Sequence, residues 1–98
     1  MGLYRHLLAA LGKLGDFREE MKKTSVHLAR KSAFAGVHPR KQSFVLTVKP
    51  ARPLKNPRVF RSKKVSKSRW HHEVKIVERE DIDTELVAWL REAFELSA

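Results

Sequence analysis

Residues 26–49 read VHLARKSAFAGVHPRKQSFVLTVK, and their apolar side chains recur at every second position. Val26 and Leu28 alternate with Ser25 and His27, Ala33, Ala35 and Val37 with Phe34, Gly36 and His38, and Phe44, Leu46 and Val48 with Val45, Thr47 and Lys49. A period of two is the mark of a strand with one apolar side, so three strands are expected here. The segment His38-Pro39-Arg40-Lys41-Gln42 supplies turn chemistry between the second and third. Connections this short make neighbours antiparallel.

Working outward, Trp70, His72, Val74 and Ile76 oppose His71, Glu73, Lys75 and Val77 in a fourth such run. Residues 58–66 are mixed, with Val59 and Val65 on one side and Phe60 on the other, and Phe17 to Met21 can form a further short strand. The Pro-rich connection Lys49 to Pro57 and the turn Ser66-Lys67-Ser68 separate these runs. At the two ends the period changes. Leu3, Leu7, Leu11 and Leu14 recur at helical spacing, with Leu8 widening the stripe and Gly12 and Gly15 marking the exit, so a helix is expected over 2–14. Leu86, Leu90 and Phe94 define a second helix over 83–96, with Asp81 or Asp83 as N-cap and Trp89 at the edge of the apolar stripe.

The economical fold is α+β: a single domain over 1–98 with an N-terminal helix, an antiparallel sheet of about five strands within 17–77, and a C-terminal helix. Half-apolar strands place both helices on one face. The other face then carries Ser25, His27, His38, Thr47, Lys49, Lys64, His71, Glu73 and Lys75. Phe34 and Phe60 fall on that open side by parity, where they can stack on bases, unless a bulge returns them to the core.

Charge is organised by segment. Sixteen of the 21 Lys and Arg lie between Lys22 and Lys75, where Glu73 is the sole acid. That middle carries a formal +15, against zero for residues 1–21 and −5 for residues 76–98. A field of this size favours an anionic partner, DNA or RNA or another polyanion, although solubility and protection of sheet edges also place Lys on such surfaces. At 98 residues the chain buries roughly 65% of the surface of its unfolded form, enough for one core and one shallow site. Cysteine is absent. That excludes disulfides, thiolate zinc sites and a Cys nucleophile, and is compatible with a reducing cytoplasm. The longest apolar run, Leu7 to Ala10, is far below the ~20 residues of a membrane span, so no membrane partner is expected.

The five histidines are the candidates for chemistry. His71 and His72 are adjacent on a strand, point to opposite faces and cannot chelate one ion. His72, between Trp70 and Val74, reads as a satisfied, half-buried core histidine. His71 shares its face with Glu73, an acid/base arrangement in principle, and Ser25 shares one with His27. No phosphate-cradling glycine loop and no His-x-x-x-His helix is present, and one carboxylate in the basic middle does not suffice for two-metal nuclease chemistry. No cofactor and no metal are expected.

The segments KKTSVHLARKSAFAGVHPRKQSFVLTVK, VSKSRWHHEVKI and EDIDTELVAWLREAF, in this order, resemble a small bacterial family, domain of unknown function 5655. The likeness covers nearly the whole chain. It rests on the Ser-x-His-Leu strand at Ser25 to Leu28, Phe34-Ala35-Gly36-Val37, the aromatic-His strand at Trp70 to His72, and the closing Asp-Ile-Asp helix with Trp89-Leu90. Phe94 stands where the resemblance implies Tyr, which removes a hydroxyl. Some longer relatives carry a Cys-containing N-terminal segment that has no counterpart here, so no zinc role is implied. The family implies no activity. Related domains lie beside restriction-nuclease-like modules, which implies a link to DNA transactions by analogy.

Three readings follow. One is a noncatalytic binding module for nucleic acid or another polyanion, contacted by Lys23, Arg40, Lys41, Lys63, Lys64, Lys67, Arg69 and Lys75. The alternative is a small histidine-dependent hydrolase or ligand-processing domain using His27, His38 and His71, with Glu73 as an orienting acid; it requires the imidazoles to converge on a shared pocket. The third is a self-associating module pairing through an exposed strand edge.

Overall fold

The computed structural model describes residues 2–54, 56–67 and 69–97. Ser68 of the expected Ser66-Lys67-Ser68 turn and Lys55 of the Pro-rich connection lie outside them. The elements are α1 (Gly2–Leu11), β1 (Arg18–Met21), β2 (Val26–Ala29), β3 (Ala33–Pro39), β4 (Phe44–Val48), β5 (Val59–Ser66), β6 (Arg69–Ile76) and α2 (Thr84–Leu96), with a 3₁₀ turn at Arg79–Asp81. They form an α+β domain with one antiparallel sheet of six strands in the order β1-β2-β3-β4-β6-β5. The short segment weighed at Phe17 to Met21 is the edge strand β1. No helix among the described residues is long and apolar enough to cross a membrane.

Both helices cover the face that the alternation in β2, β3, β4 and β6 marks as apolar. Leu7 and Leu11 of α1 and Leu86, Leu90 and Phe94 of α2 join Leu28, Ala35, Val37, Leu46, Val48, Val74 and Ile76 in one cluster. Each such Leu or Val removed from water is worth about 1.5–3 kcal/mol before the entropy of ordering is charged against it, so this cluster dominates stability. Trp89 is buried, with the Arg58 guanidinium 5.9 Å from its ring centroid. Helix α1 stops at Leu11, three residues short of the expected end. Gly15 then takes φ +140°, and a methyl there would lie 3.1 Å from Phe94 Cζ, so both the backbone and the space require glycine. Asp83 caps α2, its carboxylate accepting from Leu86 N at 2.9 Å.

Phe34 departs from its parity. The β2–β3 register pairs Leu28 with Ala35 and Ala29 with Ala33, so Phe34 is the extra residue of a bulge. It turns into the core, fully buried, edge-on to Phe17 at 5.7 Å and to Phe94 at 5.3 Å. The apolar gain decides the outcome, and Phe34 cannot stack on a ligand.

The connection from β4 to β5 crosses the helix side of the sheet, because β6 lies between those strands. Leu54 is buried there, and the Arg52 carbonyl lies 3.0 Å from His72 Nε2. A carbonyl only accepts, so Nε2 carries the proton; in the neutral ring Nδ1, 2.8 Å from Ser62 Oγ, accepts the hydroxyl proton. His72 is thus a satisfied core histidine, more deeply buried than its position between Trp70 and Val74 suggests.

Candidate anion-binding basin on the open sheet face

The uncovered face is not flat. One row of residues runs across it, His27 of β2 opposite Gly36 of β3, then Thr47 of β4, Glu73 of β6 and Arg61 of β5. Residues opposite one another project to the same face, with strands about 4.8 Å apart. The two in the middle are small. Gly36 has no side chain and Thr47 a short one, so the row dips between larger neighbours. The result is a cavity of about 410 Å³ lined by His27, Gly36, His38, Thr47, Lys49, Arg61, Lys63, His71 and Glu73. That volume lies within the ~300–1,000 Å³ of discrete small-ligand sites.

Two imidazoles meet over the floor. A methyl at Gly36 would lie 3.6 Å from His38 Nε2, 3.8 Å from Thr47 Cβ and 3.9 Å from His27 Cδ2. His71 stands on the far side, opposite Lys63 of β5. His27, His38, His71 and Glu73, the residues of the acid–base alternative, line one basin.

The surroundings are electropositive. Burial, then Lys49, Lys22 and His38, lower the pKa of His27, with Glu20 pulling the other way. Burial also lowers that of His71, aided by Lys49, Arg69 and Lys63 against Glu73. Lys49 is half-buried; desolvation, and then Arg69, hold its ammonium below the usual lysine range. All three shifts disfavour added positive charge, so a bound anion would relieve them. Among the described residues Glu73 is the only acid in the lining, and Arg61 approaches it at 4.0 Å. Among the described residues no three His, Asp or Glu are grouped to hold a metal ion.

The basic residues sort into two classes. Arg52 forks onto Glu92 at 2.7 and 2.8 Å, Arg58 bonds Asp83 at 3.0 Å, and Arg30 stacks 4.1 Å over Phe94 while donating to its carbonyl. Arg69, a candidate contact residue, donates to the carbonyls of Ala33 and Lys49 and to Ser97 Oγ at 3.3–3.4 Å, tying the end of α2 to the sheet. These four hold the fold. Lys63 lines the basin, and Lys75, opposite Val45, shares the open face. Lys64 pairs with Trp70 and so faces the helix side, contrary to the open-face placement: the bulge at Phe60 shifts the parity of β5. Lys23, Arg40 and Lys41 are exposed in the turns at one end of the sheet, and Lys67 lies at the β5–β6 turn at the opposite end.

The same bulge brings in Arg61, which the parity of residues 58–66 did not single out; Phe60 is left 55% exposed. Lys49 and Thr47 were legible as open-face residues, whereas Gly36 as a floor was not. No curated protein and no solved structure matches the chain. The family model described as Domain of unknown function (DUF5655) matches residues 1–97, and the chain belongs to that family.

Proposed function

We propose that this domain binds nucleic acid through the open sheet face, seating a phosphate of a single strand in the basin. The observation that carries this reading is the basin itself. Three imidazoles and three cations, Lys49, Arg61 and Lys63, surround a floor of Gly36 and Thr47 with one acid among them. Solubility alone does not require cations to converge on a concavity, nor a half-buried lysine at its wall. Exposed Phe60, adjacent in sequence to Arg61, offers a ring on which a base can stack. Lys75 extends the cationic surface along the same face, and Lys23, Arg40, Lys41, Lys64 and Lys67 form a basic periphery that raises the association rate. The compartment this implies is the cytoplasm.

Fluorescence anisotropy with labelled single-stranded RNA and DNA at two salt concentrations tests the reading. Affinity is expected to fall with salt, with a log-log slope of about −0.7 per phosphate neutralised on single strands. Replacing Lys49 or Lys63 by Ala is expected to weaken binding more than replacing Lys41. Equal losses at all three positions would reduce the surface to nonspecific charge and overturn the reading.

A second reading, histidine-dependent chemistry, is favoured by one specific observation: His27, His38 and His71 share the basin. Pairing through a strand edge has no comparable support. The β5 edge carries exposed Arg61, Lys63 and Lys64, which repel a second copy.

A further inference from the structure

We propose that the basin cleaves RNA by intramolecular transfer, with His27 and His38 as the acid–base pair and Lys49 stabilising the phosphorane. The proposal rests on the nucleic-acid reading above and adds a reaction to it. Its basis is convergence. His38 Nε2 and His27 Cδ2 lie 3.6 and 3.9 Å from one point above Gly36, so those two atoms are no more than about 7.5 Å apart, with open volume between and above them. Two imidazoles that both come this close to one point can both reach a phosphodiester seated there. Lys49, half-buried, lines the same cavity and brings a cation to it.

These side chains supply proton transfer and charge neutralisation, and the substrate must bring its own nucleophile. A ribose 2′-hydroxyl adjacent to the phosphate is such a nucleophile; deoxyribose has none. In the step, the 2′-oxygen bonds to phosphorus as its proton passes to the His27 imidazole. The bond from phosphorus to the 5′-oxygen breaks, and His38 gives its proton to that oxygen. The products are a 2′,3′-cyclic phosphate and a free 5′-hydroxyl, with no change of oxidation state and no co-reactant. His27 suits the base because burial and Lys49 favour its neutral form. Lys49, Lys22, His38 and Glu20 are the charged and titratable groups whose fields act on His27. His38 shares the basin with His27, His71, Lys49, Arg61, Lys63 and Glu73, and along its own row Val45 separates it from Lys75.

The experiment uses the full chain, purified in parallel with His27→Ala, His27→Gln, His38→Ala and Lys49→Ala, on an oligoribonucleotide in EDTA. Its all-deoxy counterpart and a 2′-O-methyl version serve as further substrates. Cleavage of the ribo-oligonucleotide alone is expected, with a 2′,3′-cyclic phosphate identified by mass. Each His variant should lose at least about 100-fold in rate, the scale of one general acid or base. The kcat/KM profile should be bell-shaped, its acidic limb below the ordinary imidazole value of about 6.5. Binding without cleavage overturns this proposal and leaves the binding reading standing. Neither binding nor cleavage overturns both. Cleavage undiminished in the His variants assigns the activity to a contaminant and overturns it as well.

Discussion

Gly36 sits in the interior of β3 at a position where glycine costs stability. Its φ is not positive, its backbone pairs normally with His27 and Thr47, and a methyl there meets nothing closer than 3.6 Å. Alanine therefore fits without strain, and a strand-interior Gly→Ala change is worth about 0.5–1 kcal/mol in its favour. For a domain of this size, 1 kcal/mol moves the melting temperature by about 4–8 °C. Gly36→Ala is expected to raise Tm by about 2–8 °C. Gly36→Val goes further, since its methyls extend from the added Cβ toward His38, Thr47 and His27 and fill the floor. Nucleic-acid affinity should then fall at least tenfold, about 1.4 kcal/mol, while the protein stays folded. Thermal melting by circular dichroism and anisotropy on the same samples read both effects. A glycine retained for the basin gives stability up and binding down. A loss of stability above 1 kcal/mol in Gly36→Ala would show that the fold needs the glycine, and unchanged binding in Gly36→Val would show that the ligand sits elsewhere.

His72→Phe keeps the apolar bulk but leaves the Arg52 carbonyl and the Ser62 hydroxyl without their imidazole partner. At about 0.5–1.5 kcal/mol for each hydrogen bond lost it should destabilise measurably in urea, and because Ser62 is exposed and water can take up its hydroxyl, adding Ser62→Ala should recover little. Asp83→Ala removes the α2 cap and should cost about 1 kcal/mol by the same measurement. Backbone N–H groups of Glu78 and Val77 lower the pKa of Asp81. Burial raises that of Asp83, but Leu86 N and Arg58 outweigh it and lower it. Both carboxylates therefore contribute stability above their unfolded pKa of about 4, and lose it as pH falls through their lower folded values. A pH series of melts should show this loss, reduced in Asp83→Ala. Arg61→Ala and Lys63→Ala should each flatten the salt dependence of single-strand binding by about 0.7 in log-log slope if each neutralises one phosphate.

The elements were legible wherever one period governs a segment. Trp70 to Ile76 alternates because one face meets the helices, and Leu86, Leu90 and Phe94 mark a single buried stripe, whereas Phe44 to Val48 is buried on both sides. Local period fails at the bulges. At Phe34 one extra residue lets a large ring reach the core, and nothing in the alternation of residues 33–37 distinguishes that from regular pairing. At Phe60 the same device moves Arg61 and Lys63 to the open face and Lys64 off it. The basin needs more than parity. His27, Gly36, Thr47, Glu73 and Arg61 are dispersed over residues 27–73, and register alone aligns them. Glycine within a strand reads in isolation as a weak strand residue, and threonine as an ordinary one. Set side by side between histidines and cations they become a floor, so the chemistry of this face resides in which small residues the register brings together more than in the number of positive charges around them.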